Sequence, residues 1–165
     1  MPSRPAQPTP EPPSPEVLAA IERLPRGQFV LTATHETRRA GVIVRGVQPC
    51  ADVPPMLIVA VRKGNAVSSL IRDARCFAIC QIDPADRLLL RKFIDPPARG
   101  RDADPFDCFG IERLATGSPV FVRTPLAFDC ELSRHFDLES DHEVYVGLIR
   151  AVKIGASAES QPQTG

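Results

Sequence analysis

The sequence predicts a mainly β protein: a closed or partly closed antiparallel barrel with a few short helices. Seven apolar runs of strand length follow one another between Phe29 and Lys153, and only two helix-period stretches interrupt them. That order favours a curled antiparallel sheet over alternating α/β layers. A chain of 165 residues gives one domain enough surface to bury a single core without metal or disulfide staples.

Taken in order, the chain opens on an arm, 1–14, that should be disordered, since seven of the eighteen prolines fall in the first fifteen residues. The ordered domain is expected over 15–155, followed by a loose tail of small polar residues, 156–165. Ser14-Pro15-Glu16 reads as an N-cap, a first-turn proline and a first-turn acid, and Val17, Leu18, Ile21 and Leu24 then recur at helical spacing until Pro25 and Gly27. Strands are expected at Phe29 to Thr34, Gly41 to Val47, Met56 to Val61, Cys76 to Ile82, Pro119 to Arg123, Ala127 to Phe136 and His142 to Lys153. The sixth alternates, with Leu126, Phe128, Cys130 and Leu132 on one face and charges between them; the last is apolar on both faces and belongs inside the sheet. Helices are expected at Asn65 to Arg72, where Ala66, Val67, Leu70 and Ile71 form one stripe, and at Pro84 to Phe93, with Asp83 as cap. The stretch Asp95 to Asp107 reads as a long loop.

Composition removes several function classes. Lys plus Arg equals Asp plus Glu and no basic block stands out, which argues against duplex nucleic acid as partner. No apolar run approaches a membrane span. Five cysteines, with proline where a secretory signal would be apolar, fit a reduced cytoplasmic setting, and most read as buried structural thiols. Hydrolase motifs and the Rossmann glycine fingerprint are missing, so any nicotinamide must bind without that fold.

Two connectors are the first candidates for chemistry. Arg45-Gly46-Val47-Gln48-Pro49-Cys50, between two strands, offers a cation, several backbone amides and a glycine that lets a ligand come close. Lys63-Gly64-Asn65 joins a strand to a helix N-terminus, a place that favours anions. On pattern alone the first is equally a strand end with a surface arginine, and the second a plain helix cap. Arg91 and Lys92 either complement a helix C-terminus or reach a phosphate. His135 and His142 flank an acidic turn whose spacing matches no zinc signature, so no metal is expected. His142, opening a strand, either bonds a ligand or caps the strand end.

From about Arg23 to about Val152 these pieces resemble the flavin reductase-like family, whose fold is the FMN-binding split barrel. Leu24-Pro25-Arg26-Gly27 and Phe29-Val30-Leu31-Thr32-Ala33-Thr34 are similar to the family's opening; Pro54-Pro55-Met56-Leu57-Ile58-Val59 fits its double proline before a strand. Phe77-Ala78-Ile79, Arg91-Lys92-Phe93, Gly117-Ser118-Pro119-Val120 and Leu126-Ala127-Phe128-Asp129-Cys130-Glu131 continue the resemblance. Asp141-His142-Glu143-Val144-Tyr145-Val146-Gly147 is its most specific segment.

The resemblance implies FMN or FAD bound at a homodimer interface and hydride passed to it from NADH or NADPH, with reduced flavin supplied to an acceptor or partner oxygenase. It implies that Arg45, Gly46, Val47, Gln48, Pro49 and Cys50 face the flavin, that Lys63 and Asn65 lie beside them, that Arg91 or Lys92 reaches the phosphate, and that His142 serves catalysis near the rings. The family's serine-rich turn is replaced here by Arg45 to Cys50, and Cys80 stands where asparagine is usual. An alternative is therefore a non-catalytic FMN-binding module: an electron carrier, a sensor or a dimeric scaffold.

Overall fold

The computed structural model describes residues 12–24, 26–94 and 104–155. Most of the expected arm, Pro25, most of the expected loop and the expected tail lie outside the described residues. The elements are α1 (Pro15–Glu22), β1 (Phe29–His35), β2 (Arg38–Val44), β3 (Val47–Asp52), β4 (Pro55–Arg62), α2 (Ala66–Ala74), β5 (Cys76–Gln81), α3 (Arg87–Ile94), a 3-10 turn (Pro105–Cys108), β6 (Ile111–Arg113), β7 (Pro119–Phe121), β8 (Leu126–Asp137) and β9 (His142–Ile154).

Seven strands form one antiparallel sheet in the order β2-β1-β5-β8-β9-β4-β3, and β6 pairs with β7 beside it. The sheet is therefore split. β2 and β3, consecutive in the chain, are its two edges, and the Arg45-Gly46 link crosses the gap between them. Two apolar clusters fill the molecule. Leu31, Val59, Phe77, Ile79 and Tyr145 meet the apolar stripe of α2, Val67, Leu70 and Ile71, in one. On the opposite face of β1 and β5, Val30, Ala78 and Cys80 pack against Leu89 and Phe93 of α3 and against Phe106 and Phe121. β1 and β5 are covered on both sides, which is why their sequences are apolar runs and not alternating patterns.

Several boundaries differ from those the sequence suggests. Val47 to Cys50 are strand, not turn: Val47, Gln48 and Pro49 pair with Val59, Ile58 and Leu57, and a register shift follows at Cys50. Pro49 masked this strand, but an edge strand tolerates a residue without an N–H. β2 starts at Arg38 because the β1–β2 turn is only two residues, with Glu36 at φ 54° doing what glycine or asparagine usually does. The cap of α3 is Asp86, whose Oδ1 accepts from Leu89 N at 3.1 Å, while Asp83 holds only the preceding turn through Ala85 N. Asp129, read as an outward charge, is fully buried because the Ala127 face of β8 on which it lies is covered too, and its carboxylate accepts from Thr116 N at 2.6 Å and from the Thr116 hydroxyl.

Candidate functional site

The ends of β4 and β9 divide the rim of the split barrel into two sides. Arg62 pairs with His142 and Val61 with Glu143, and cross-strand partners project to the same face. His142 and Glu143, neighbours in sequence, therefore serve opposite sides.

On the outer side a cleft of about 310 Å³ sits at the seam, between the end of β2, the Arg45-Gly46 link and the end of β4. Val42, Ile43 and Ala60 supply apolar wall, with the buried Val44 and Val61 behind it; Arg26, Arg45, Arg62 and His142 supply the polar rim. A Cβ at Gly46 would meet nothing within 4 Å, so the link leaves open space above the cleft. His142 Nδ1 lies 2.8 Å from Asp141 Oδ1. A carboxylate only accepts, so Nδ1 carries the hydrogen and Nε2 remains for a ligand. The same bond holds the exposed Asp141 carboxyl below its ordinary range.

On the inner side a cleft of about 550 Å³ opens between the α2 N-terminus and the β8–β9 hairpin, and Lys63, Asn65, Ser68, His135 and Glu143 line it. Asn65 is the N-cap of α2, accepting from Val67 N at 3.1 Å. Lys63 Nζ donates to Asp137 and keeps that exposed carboxyl ionised below its ordinary range. Glu143 is buried, yet its pKa is lowered. Burial alone raises it, but the surrounding Ser68, His135 and Tyr145 polar groups outweigh that, with His135 Nε2 at 2.8 Å from Oε2 and Arg72 Nη1 at 3.4 Å. The His135 ring stacks on Tyr145 at 4.8 Å between centroids.

A third cleft, of about 480 Å³, lies on the flank between Arg26, Gln28, Arg45, Gln81 and Pro84.

The structure thus gathers Arg45, Gly46 and His142 at the seam and sends Lys63 and Asn65 to the inner side. Gln48, Pro49 and Cys50 are exposed on β3 and Val47 is half-buried there; none of the four lines a described cleft. Arg91 and Lys92 lie in the last turn of α3 and line none of the three either. Sequence reading missed Arg26 and Arg62 at the seam and Ser68 and Glu143 at the inner side. Arg62 had a signal, since alternation along β4 puts it on the exposed face with Ala60.

An apolar slot with a cationic rim and an open glycine link has the right chemistry for a flat heteroaromatic ring carrying an anionic tail, so the residues present fit a flavin.

Comparisons with known proteins bear on that fit. The diflavin flavoprotein A 1 of Synechocystis sp. (strain ATCC 27184 / PCC 6803 / Kazusa) is 25% identical over 126 residues, 74% of this chain and 21% of that protein. The chain spans about a quarter of the length of the curated diflavin flavoproteins it matches. The FMN reductase (NADH) RutF of Bradyrhizobium diazoefficiens (strain JCM 10833 / BCRC 13528 / IAM 13628 / NBRC 14792 / USDA 110) is 26% identical over 132 residues, covering 78% of this chain and 69% of its own. Among solved structures, the styrene monooxygenase flavin reductase from Pseudomonas putida S12 superposes with a TM-score of 0.74 at 18% identity, over 86% of this chain and 88% of that one, and so shares the fold. Residues 21–164 match the flavin reductase like domain, and the chain belongs to that family.

Proposed function

We propose that the protein is an NAD(P)H:flavin oxidoreductase that binds FMN or FAD in the seam cleft and supplies reduced flavin to an acceptor or a partner oxygenase. The observation that carries this reading is the cleft itself: apolar wall, Arg45, Arg62 and His142 on the rim, and the open Gly46 link. Bound flavin supplies the redox chemistry, accepting hydride from the nicotinamide. The protein's own work is orientation. Val42, Ile43 and Ala60 would hold the ring against the barrel and exclude water from one face. Arg45 would give charge-assisted hydrogen bonds to a phosphate or ring carbonyl. His142, fixed by Asp141, would present Nε2 to a polar group of the ring or the nicotinamide. Lys63 and Asn65 would bear on this site through the rim they share with it, and Arg91 and Lys92, in the last turn of α3, would complement that helix C-terminus or reach a phosphate.

A homodimer belongs to this reading. α1 has no buried residue, and Val17, Leu18 and Ile21 are 43–49% exposed on it, with Leu24 just beyond its end exposed as well. A cytoplasmic setting is supported by five cysteines that are all free. No helix among the described residues is long and apolar enough to cross a membrane.

One observation favours a second reading, the non-catalytic FMN carrier: a guanidinium, not small hydroxyls, sits at the seam link and would retain flavin. The visible spectrum of the purified protein and its oxidation of NADH and NADPH with and without added FMN decide between the two. Flavin-dependent oxidation, slowed at kcat in His142→Ala and with flavin Kd raised about tenfold in Arg45→Ala, is expected. Tight flavin without turnover selects the carrier; no flavin binding sinks both.

A further inference from the structure

The turn between β8 and β9 sets how His142 is held, and one residue outside that turn grips both of its ends. β8 and β9 pair as far as Asp137 and Glu143, which leaves 138–142 outside their ladder. Lys63, just past the end of β4, donates its main-chain N–H to Asp141 O at 2.9 Å and its ammonium to the Asp137 carboxylate. The same Asp137 Oδ1 accepts from Glu139 N at 2.8 Å. Glu139 sits at φ 53°, a left-handed conformation that a side chain of its kind seldom adopts, so backbone preference alone does not shape the turn. On the far side His142 N donates to Ser140 Oγ at 3.3 Å, and Asp141 Oδ1 lies 2.8 Å from His142 Nδ1. The Asp141 side chain is 67% exposed, so packing does not fix it; its place follows from the main chain that Lys63 holds.

We infer that Asp137 is a positioning residue for His142: through Lys63 it clasps the turn so that Asp141 keeps the proton on His142 Nδ1 and leaves Nε2 bare toward the seam. The inference rests on the proposed function and deepens it, since a carboxylate on the inner side then acts on the chemistry of the outer side. Covalent and hydrogen bonds close a ring from Asp137 through Lys63 to Asp141 and back along the turn. His142 is the next residue, paired with Arg62, the neighbour of Lys63. Asp137 lines the inner cleft and not the seam, so its effect passes through His142 and not through contact with a flavin. An exposed ion pair contributes little to stability. Here it biases which ring nitrogen carries the proton, a choice set by the hydrogen bond that the other makes, and a small bias is enough.

Long-range proton–nitrogen correlation spectra of the ligand-free protein at alkaline pH report the tautomer of each imidazole, and the chain has only 3 histidines to assign. The wild type should show His142 chiefly as Nδ1–H. Asp137→Asn keeps an acceptor for Glu139 N but removes the charge facing Lys63, and should move the ring toward Nε2–H; Asp137→Glu should restore part of the Nδ1–H form. In flavin-dependent NADH oxidation Asp137→Asn should lower kcat about three- to fivefold, with KM for NADH and Kd for FMN within about twofold of wild type. In a His142→Ala background the same substitution should cost nothing further. A merely structural Asp137 would lower the melting temperature and leave the tautomer of the folded protein as it was. An unchanged tautomer in Asp137→Asn overturns the inference, as does a shifted tautomer with wild-type kcat or an equal rate loss in the His142→Ala background. The functional reading fails separately: a shifted tautomer in a protein that oxidises no NAD(P)H leaves the clasp and removes the enzyme, whereas turnover with an unchanged tautomer does the reverse.

Discussion

At the scale of single residues, chemistry is set by which way a side chain leaves its strand. His142 and Glu143 differ by one position and end on opposite sides of the β4–β9 rim. Glu143 is the more constrained: buried, bonded to His135 and held in its ionised form. Because its folded pKa lies below the unfolded value, the unfolded chain takes up more protons on acidification. The stabilisation is complete above the ordinary glutamate range and disappears as pH falls through the folded value. Glu143→Gln should therefore cost about 1–3 kcal/mol near neutrality. Urea midpoints of the two proteins should converge as pH falls through and below the ordinary glutamate range. A constant gap across that range would contradict the assignment. His142, Arg45 and Lys63 were legible as candidates because each stands where a strand ends. Arg26 was not, since its convergence with Arg45 depends on a seam between two edge strands that no local pattern encodes.

Among the elements, α2 and β5 read cleanly because period and burial agree, whereas β3 and β8 did not. Pro49 and the shift at Cys50 disguise an edge strand as a turn, and the alternation of β8, kept through Phe128, Cys130 and Leu132, gives no sign that its other face is covered and Asp129 buried. β9 carries a tighter constraint. A Cβ at Gly147 would lie 2.5 Å from Phe77 Cζ and 2.7 Å from Cys130 Cβ, both buried. Neither neighbour has room to retreat from the core, so Gly147→Ala should destabilise by roughly 1–3 kcal/mol. Gly46→Ala, which adds its methyl to open space, should melt with the wild type. Thermal unfolding followed by circular dichroism separates them, and a Gly147→Ala protein that melts unchanged would show that β9 and β8 can part without cost.

Over the whole molecule, the fold class followed from the succession of strands, but the closure did not, because closure depends on whether β2 and β3 pair. They do not, and the rim they leave open holds the seam cleft. The exposed stripe of Val17, Leu18 and Ile21 leaves α1 without a buried residue, and covering each such side chain gains up to about 1.5–3 kcal/mol. Sedimentation equilibrium should give twice the 18.0 kDa chain mass, and Ile21→Asp should shift the protein toward the single-chain value. A wild-type protein of single-chain mass at high concentration would refute the dimer. The edge at β3 argues about how such copies do not join. Pro49 withholds a donor, the shift at Cys50 breaks the ladder, and Pro54 and Pro55 follow directly. A strand in this condition is a poor template for another chain, so the open barrel is guarded against runaway sheet extension, and its assembly stays a matter of faces instead of edges.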